Sequence, residues 1–175
     1  ILINDLRTLV WCANLANLEL HPFLHRVPHI DRPDQITFDL DPGEGTDLID
    51  CADIALLLRE VLAGRKLQSF PKVSGSKGMQ IAVPQNTPGV TYEDSGAFAK
   101  ALAMHITKAH PSRVVWEMAK EKRVGKIFVD WSQNSDFKTT VGVYSLRAKR
   151  AFPFVSMPVT WDEVETMTTE RRVED

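Results

Sequence analysis

The chain has 175 residues, enough for one well-buried domain, and its 43% hydrophobic and 25% charged residues are ordinary for a globular protein. A net charge of −2 excludes a strongly basic protein that binds nucleic acid through overall charge alone. We expect no signal peptide and no membrane span, because no apolar run reaches the length that a bilayer requires. Cys12 and Cys51 lie far apart and form no CxxC motif, so we expect a reducing, cytoplasmic compartment.

Apolar periodicity divides the chain into helices and strands. The pattern predicts helices over 3–18, from Thr46 or Asp47 to near Gly64, over 92–109, and after a capping box formed by Thr160 and Glu163. It predicts strands over 35–41, 67–73, 79–84, 113–117 and 126–131, and a further extended stretch over 139–146. Helices that separate pairs of strands indicate a layered domain of the α/β class, of the mixed α+β kind.

The charges are distributed unevenly along the chain. Residues 31–60 contain nine acidic and two basic residues, a net charge of −7. Residues 113–150 contain nine basic and four acidic residues, a net charge of +5. Each segment alone could be a solvated face, but an acidic segment that can hold cations and a basic one that can hold phosphates together predict a phosphate-handling protein.

The segment ITFDLDPGEG, at 36–45, ends an apolar strand with two aspartates. Because side chains alternate along a strand, Asp39 and Asp41 share the face opposite the apolar residues, directly before Pro42 and Gly43 stop the strand. Two like charges on one face repel each other, so they are not placed there for stability. The pair is either two solvated carboxylates at a strand end or part of a site for a divalent metal ion.

Asp130 is the best candidate for a third carboxylate of such a site. It ends the strand KIFVDW, on the face opposite Val129, and packing explains it poorly. The alternative is an aspartate that caps the following turn. Three carboxylates on two adjacent strands suit two Mn²⁺ or Mg²⁺ ions, which prefer oxygen ligands and can act together in phosphoryl transfer.

The turn Ser74-Gly75-Ser76-Lys77-Gly78 has the chemistry of a phosphate-binding loop. Its glycines permit close approach of the backbone, and N–H groups, two hydroxyls and an ammonium suit a polyphosphate. It is not a Walker A loop, and a flexible hairpin can have the same composition. Arg147 could bind a triphosphate or pyrophosphate through its forked guanidinium, or it could be an exposed arginine.

These motifs together resemble a known family. FDLDPGEG, SGSKG, GKIFVDWSQNS, KTT and YSLRA occur in the order and spacing of the polymerase domain of bacterial and archaeal DNA ligase D, a member of the archaeo-eukaryotic primase superfamily. The segment WCANLANLELHPF is similar to a conserved segment upstream in that family. The resemblance extends from about residue 6 to residue 161.

The resemblance implies a single primase-polymerase catalytic core over residues 1–175, with an RRM-like sheet flanked by helices and without the family's usual N-terminal part. It implies that Asp39, Asp41 and Asp130 are the catalytic carboxylates and the ligands of two Mn²⁺ or Mg²⁺ ions. The expected nucleotide-binding residues are His21, Ser74, Ser76, Lys77, Gln133 and Arg147.

The implied activity is that of a template-dependent nucleotidyltransferase. It would extend primer 3′ ends with NTPs or dNTPs, with a preference for ribonucleotides, in gap filling and end joining of DNA breaks. The expected partners are DNA ends or gapped DNA, Ku, an ATP-dependent ligase and a phosphoesterase, with no membrane partner. The expected location is the prokaryotic cytoplasm, at the nucleoid.

Two departures from the family pattern leave alternatives open. Gln80 stands where the family usually has a histidine, and we expect the chain to lack the family's basic N-terminal region. Both departures favour a catalytically inactive module that binds nucleic acid, whereas the intact set of Asp39, Asp41 and Asp130 argues against it. A phosphatase of the haloacid dehalogenase type also has two aspartates after an apolar strand, but this chain has Gly43, preceded by Pro42, where that motif has Thr or Val.

Overall fold

A computed structural model describes residues 1–148, 152 and 154–174, with side chains as far as residue 170. The helices are α1 (Leu6–Asn14), α2 (Leu48–Ala63), α3 (Tyr92–Ala109) and α4 (Trp161–Glu174), with a 3₁₀ turn at Lys120–Arg123. The strands are β1 (Gln35–Pro42), β2 (Phe70–Val73), β3 (Met79–Pro84), β4 (Val114–Val115), β5 (Ile127–Asp130), β6 (Leu146–Arg147), β7 (Phe154–Val155) and β8 (Met157–Pro158).

Six strands form a central sheet in the order β4-β5-β1-β3-β2-β8, and β6 and β7 form a separate two-stranded ribbon. All pairs of the central sheet are antiparallel except β4 with β5. This mixed α+β architecture, a mostly antiparallel sheet flanked by helices, confirms the predicted fold class. Among the described residues, none of the helices has both the length and the apolar character needed to cross a bilayer.

The hydrophobic core lies between one face of the sheet and helices α2 and α3. Phe38 and Leu40 of β1 are completely buried, and they belong to one cluster with Leu58 of α2 and Leu102 of α3. Because this face of β1 is apolar and covered by helices, the alternate side chains of β1 point to the opposite face of the sheet.

Helix starts follow the sequence closely. Asp47 caps α2 and forms a capping box with Asp50, and Thr91 caps α3 in the same way with Asp94. The predicted first helix is too long at both ends, since α1 begins after its N-cap Asp5 and ends at Asn14. The predicted strands 67–73, 113–117 and 126–131 are shorter in the structure, and only Leu146–Arg147 of the extended stretch 139–146 is a strand.

The β2–β3 turn ends at Gly78, where the backbone lies so close to β1 that only glycine fits. A Cβ atom on Gly78 would lie 1.9 Å from the carbonyl oxygen of Leu40. Real Cβ atoms do not approach a backbone oxygen so closely, so a side chain would push the turn away from β1. Gly78 therefore keeps the turn against the strand that contains the two aspartates.

We expect Gly78→Ala to lower the free energy of unfolding by about 1–3 kcal/mol, because the new methyl group must displace backbone. Gly64→Ala is the matched control, since at Gly64 the nearest atom to a new Cβ is 3.5 Å away and the backbone is αR. That variant should match the parent or be more stable by up to about 1 kcal/mol. Urea denaturation measures both, and equal midpoints for the two variants would contradict the close contact.

Candidate active site

The register of the sheet brings the three predicted carboxylates to one face. Asp39 of β1 lies directly opposite Asp130 of β5 on one side and opposite Gln80 of β3 on the other. Asp41 shares the face of Asp39, because it is two residues further along the same strand. Side chains that lie directly opposite each other on neighbouring strands are in contact range, so Asp39 and Asp130 are neighbours.

Asp39 is half-buried in this acidic surrounding. Burial is the largest cause that raises the pKa of Asp39 well above its usual value, and the charge of Asp41 raises it further. A hydrogen bond from Gln80 and the charge of Lys72 act in the opposite direction. The ionised pair is therefore a strained arrangement that a bound cation would relieve.

Asp130 is held by the turn that follows it. Its Oδ1 accepts hydrogen bonds from Ser132 N at 2.8 Å and from Ser132 Oγ at 2.6 Å, and its Oδ2 accepts one from Gln133 Nε2 at 3.3 Å. The turn-capping role is thus present. Within the part of the chain that the structure describes, no group of three or more His, Cys, Asp or Glu side chains is arranged to hold a metal ion. The metal assignment to the three aspartates stays a prediction.

A cavity of about 600 Å³ opens over the carboxylate face. Eight of the nine predicted site residues line it. The ninth, Asp130, is not a lining residue, but it lies opposite Asp39 on the neighbouring strand and accepts a hydrogen bond from Gln133. Its lining residues are His21, Asp39, Asp41, Ser74, Ser76, Lys77, Gln80, Gln133, Thr139, Thr140, Val141 and Arg147. Carboxylates on the sheet and cations from the turn and the ribbon therefore face one common space.

Ser74 organises the predicted phosphate loop from within. Its hydroxyl accepts hydrogen bonds from Ser76 N and Gly78 N, both at 3.3 Å, and its own N–H donates to Gly78 O at 2.9 Å. Gly75 has a φ of +69°, and a Cβ there would lie 2.9 Å from Arg147 Cγ. The turn is therefore a shaped element pressed against the β6–β7 ribbon, with the exposed Lys77 at its tip.

Arg147 is buried, so the alternative that it is simply an exposed arginine is wrong. Only 7% of the residue is exposed, and its Nε lies 3.7 Å from Glu19 Oε2. The Glu19 carboxylate also accepts hydrogen bonds from His21 Nε2 at 3.0 Å and from Ala148 N at 2.8 Å. The Ala148 hydrogen bond is the main cause that lowers the pKa of Glu19. Glu19 thus holds both His21 and the end of β6, a role that the sequence did not indicate.

Buried amide side chains position other parts of the site. Asn134 clamps β1, since its Oδ1 accepts from Thr37 N and its Nδ2 donates to Thr37 O, both at 2.8 Å. Gln80 accepts a hydrogen bond from Thr140 Oγ1 at 2.9 Å. This bond attaches residues 139–142, which we call the wall of the cavity, to β3. Each of these contacts joins residues 60 or more positions apart, so no local pattern could have revealed them.

The chain is similar in sequence to known proteins of one kind. The family model described as "LigD, primase-polymerase domain" matches residues 1–174. The multifunctional non-homologous end joining protein LigD of Mycolicibacterium smegmatis is 39% identical over 165 residues, which cover 93% of this chain and 21% of that protein. The bifunctional LigD of Bacillus subtilis is 32% identical over 170 residues, covering 97% of this chain and 27% of that protein.

A solved structure is similar over nearly the whole chain. It is the polymerase domain from Mycobacterium tuberculosis ligase D in complex with DNA, with a TM-score of 0.87 and 36% identity, covering 99% of this chain and 66% of that one. The chain spans between a fifth and about a quarter of the length of the two LigD proteins named above.

The raised pKa of Asp39 predicts a stabilising substitution. Well below pH 4 the carboxyl is neutral in the folded and unfolded chain alike, whereas at higher pH the unfolded chain ionises more readily, so folding becomes costlier. Asp39→Asn should therefore raise the free energy of unfolding by about 1–3 kcal/mol at pH 8, and the gain should shrink as the pH falls to 5.

Urea titrations in EDTA at pH 8, 6.5 and 5 measure this effect without divalent ions. Asp31→Asn, at an exposed position, is the control and should change stability by less than about 0.5 kcal/mol. A loss of stability in Asp39→Asn at pH 8 would show that the carboxylate is satisfied rather than strained.

Proposed function

The chain belongs to the LigD primase-polymerase domain family, and from this membership we propose that it is a nucleotidyltransferase that extends the 3′ end of a DNA primer. The observation that supports this most is the cavity in which Asp39 and Asp41 face Lys77 and Arg147. A site for a nucleoside triphosphate needs both kinds of group, carboxylates that bind metal cations and basic side chains that bind phosphates. The repair of DNA breaks by end joining is the process in which we place the reaction.

The carboxylate oxygens of the site are the kind of donor that a divalent ion prefers. Asp39, Asp41 and Asp130 offer oxygen ligands on one face of two neighbouring strands, and a nearby positive charge would favour the ionised form of Asp39, whose pKa burial raises. We assign these three residues as the ligands of two Mn²⁺ or Mg²⁺ ions. The bound ions would lower the pKa of the attacking hydroxyl and neutralise charge on the phosphates.

The reaction forms a bond between the primer 3′-oxygen and the α-phosphorus and breaks the bond from that phosphorus to pyrophosphate. Lys77 and Arg147 stabilise the negative charge of the leaving pyrophosphate, and Ser74 and Ser76 shape the turn that presents Lys77. His21 and Gln133, which both line the cavity, orient the nucleotide. We expect ribonucleotides to be preferred.

The partners follow from the same assignment. Because the solved polymerase domain of the tuberculosis enzyme is in complex with DNA, we propose DNA ends or gapped DNA as the second substrate of this chain. We further propose that the chain acts with Ku, an ATP-dependent ligase and a phosphoesterase, in the bacterial cytoplasm at the nucleoid. The phosphatase alternative has no support, since the LigD match covers residues 1–174. The inactive-module alternative is decided by the assays below.

Asp41→Asn should reduce primer extension at least about 100-fold, since a ligand of the proposed ions is lost while the side-chain shape is kept. The measurement is incorporation of a labelled nucleotide into gapped DNA in the presence of Mn²⁺. Asp31→Asn, at an exposed position that is not part of the cavity lining, should retain the parent rate. Full activity of Asp41→Asn would reject the assignment.

The sugar and metal preferences are measured with a gapped DNA that has a 5′-phosphate. We expect faster addition of an NTP than of the matching dNTP, and faster addition with Mn²⁺ than with Mg²⁺. A parent chain that binds the DNA but incorporates neither nucleotide would favour the inactive module, for which Gln80 gives a reason in the reduced charge of the pocket.

A further inference from the structure

Lys72 extends the row of polar side chains that crosses the sheet. It lies on β2 directly opposite Gln80, which lies opposite Asp39, which in turn lies opposite Asp130. We call these four residues the polar row. Because directly opposed residues share a face, the Lys72 side chain lies on the same face as the carboxylates, two strands away from Asp39.

The Lys72 ammonium contacts two segments that lie over the sheet. Nζ donates a hydrogen bond to the carbonyl oxygen of Val141 and another, at 3.2 Å, to Ser156 Oγ. Val141 is buried and lines the cavity, and its neighbour Thr140 is bonded to Gln80 of the polar row. Lys72 and Gln80 thus fasten the wall at two successive residues.

Both fastened segments lead to nucleotide-binding residues. The wall pairs with the segment that contains His21, through Thr140 N to Pro22 O at 3.1 Å and Gly142 N to Leu20 O at 2.8 Å. Ser156 N donates to Ser145 O at 2.9 Å, two residues before Arg147. The Lys72 ammonium is therefore linked to the segment of His21 through the wall, and to the segment of Arg147 through Ser156 and Ser145.

Keeping the charged Lys72 side chain half-buried costs free energy. The pKa of Lys72 is lowered to about 8, mainly by burial, while the charge of Asp39 raises it and that of Arg147 lowers it. An uncharged side chain could fill the same space against Pro158 and Gln80 at less cost. The ammonium is consistent with a role in placing the backbone around the site.

We propose that Lys72 is a positioning residue of the nucleotide cavity, which sets His21 and Arg147 by fastening the wall at Val141 and the segment at Ser156 to the sheet. The inference rests on the proposed function, because it assigns those two residues to the nucleotide. Lys72 itself is not among the residues that line the cavity, so it acts through the wall and not by direct contact.

The test compares Lys72→Met, Lys72→Arg and the matched control Lys126→Met. Lys126 is also half-buried, and its Nζ donates to a backbone carbonyl, Pro111 O at 2.7 Å, away from the cavity. For each variant, primer extension gives KM for the NTP and kcat, and titration with a fluorescent ribonucleoside triphosphate in Mn²⁺ gives Kd. Urea denaturation gives stability separately.

Lys72→Met should raise KM and Kd for the NTP roughly tenfold, with a smaller loss in kcat, since a charge-assisted hydrogen bond to the wall is removed. Lys72→Arg should recover most of the affinity because it keeps the charge and the donors, and Lys126→Met should match the parent. If Lys72→Met does not fold, Ser156→Ala, which removes one acceptor, should raise KM and Kd in the same direction by a smaller factor.

The outcomes separate the two proposals. A parent chain that extends primers, with Lys72→Met and Ser156→Ala at the parent KM and Kd, overturns the role of Lys72 and leaves the proposed function standing. Loss of stability without a change in KM or Kd also overturns it. A parent chain that neither binds the NTP nor extends a primer overturns the proposed function, and the role of Lys72 with it.

Discussion

The antiparallel register of β1 between β3 and β5 is the constraint on which the rest of the structure depends. One face of β1 supplies Phe38 and Leu40 to the core, and the other supplies Asp39 and Asp41 to the cavity. A shift of the register by one residue would bury the carboxylates and expose the core side chains. The hydrophobic core therefore strongly disfavours any other register. The repulsion between the carboxylates is tolerated because the core holds the strand that contains them.

The basic side chains of the site do not come from the central sheet. Lys77 lies in the β2–β3 turn and Arg147 in the β6–β7 ribbon, and the other segments around the cavity are largely irregular backbone. These segments are held by hydrogen bonds between residues far apart in the chain. Glu19, Asn134 and Lys72 bond to distant backbone, and Gln80 accepts a hydrogen bond from the Thr140 hydroxyl. The rigid sheet thus presents the carboxylates, and fastened loops present the groups that would meet a triphosphate.

The sequence was sufficient where the information is local. The bounds of α3 are those predicted, and the period of two in ITFDLDP identifies both the core face and the acidic face of β1. The strand pattern could suggest that Asp39 pairs with Asp130 but could not establish it, because register depends on residues far apart in the chain. Glu19 and Lys72 were missed for the same reason, since their contacts join residues 69 to 129 positions apart.

The strained carboxylates also constrain how substrates enter, if the ions bind as proposed. A triphosphate that approaches Asp39 and Asp41 meets like charge, against which Lys77 and Arg147 act. A divalent ion removes the repulsion from both sides, because it neutralises the aspartates and the phosphates together. Metal and nucleotide should therefore bind with positive coupling, each raising the affinity for the other by the same factor. The charge pattern that we expect to lower the stability of the folded chain is, on this view, what makes the site depend on a metal–nucleotide complex.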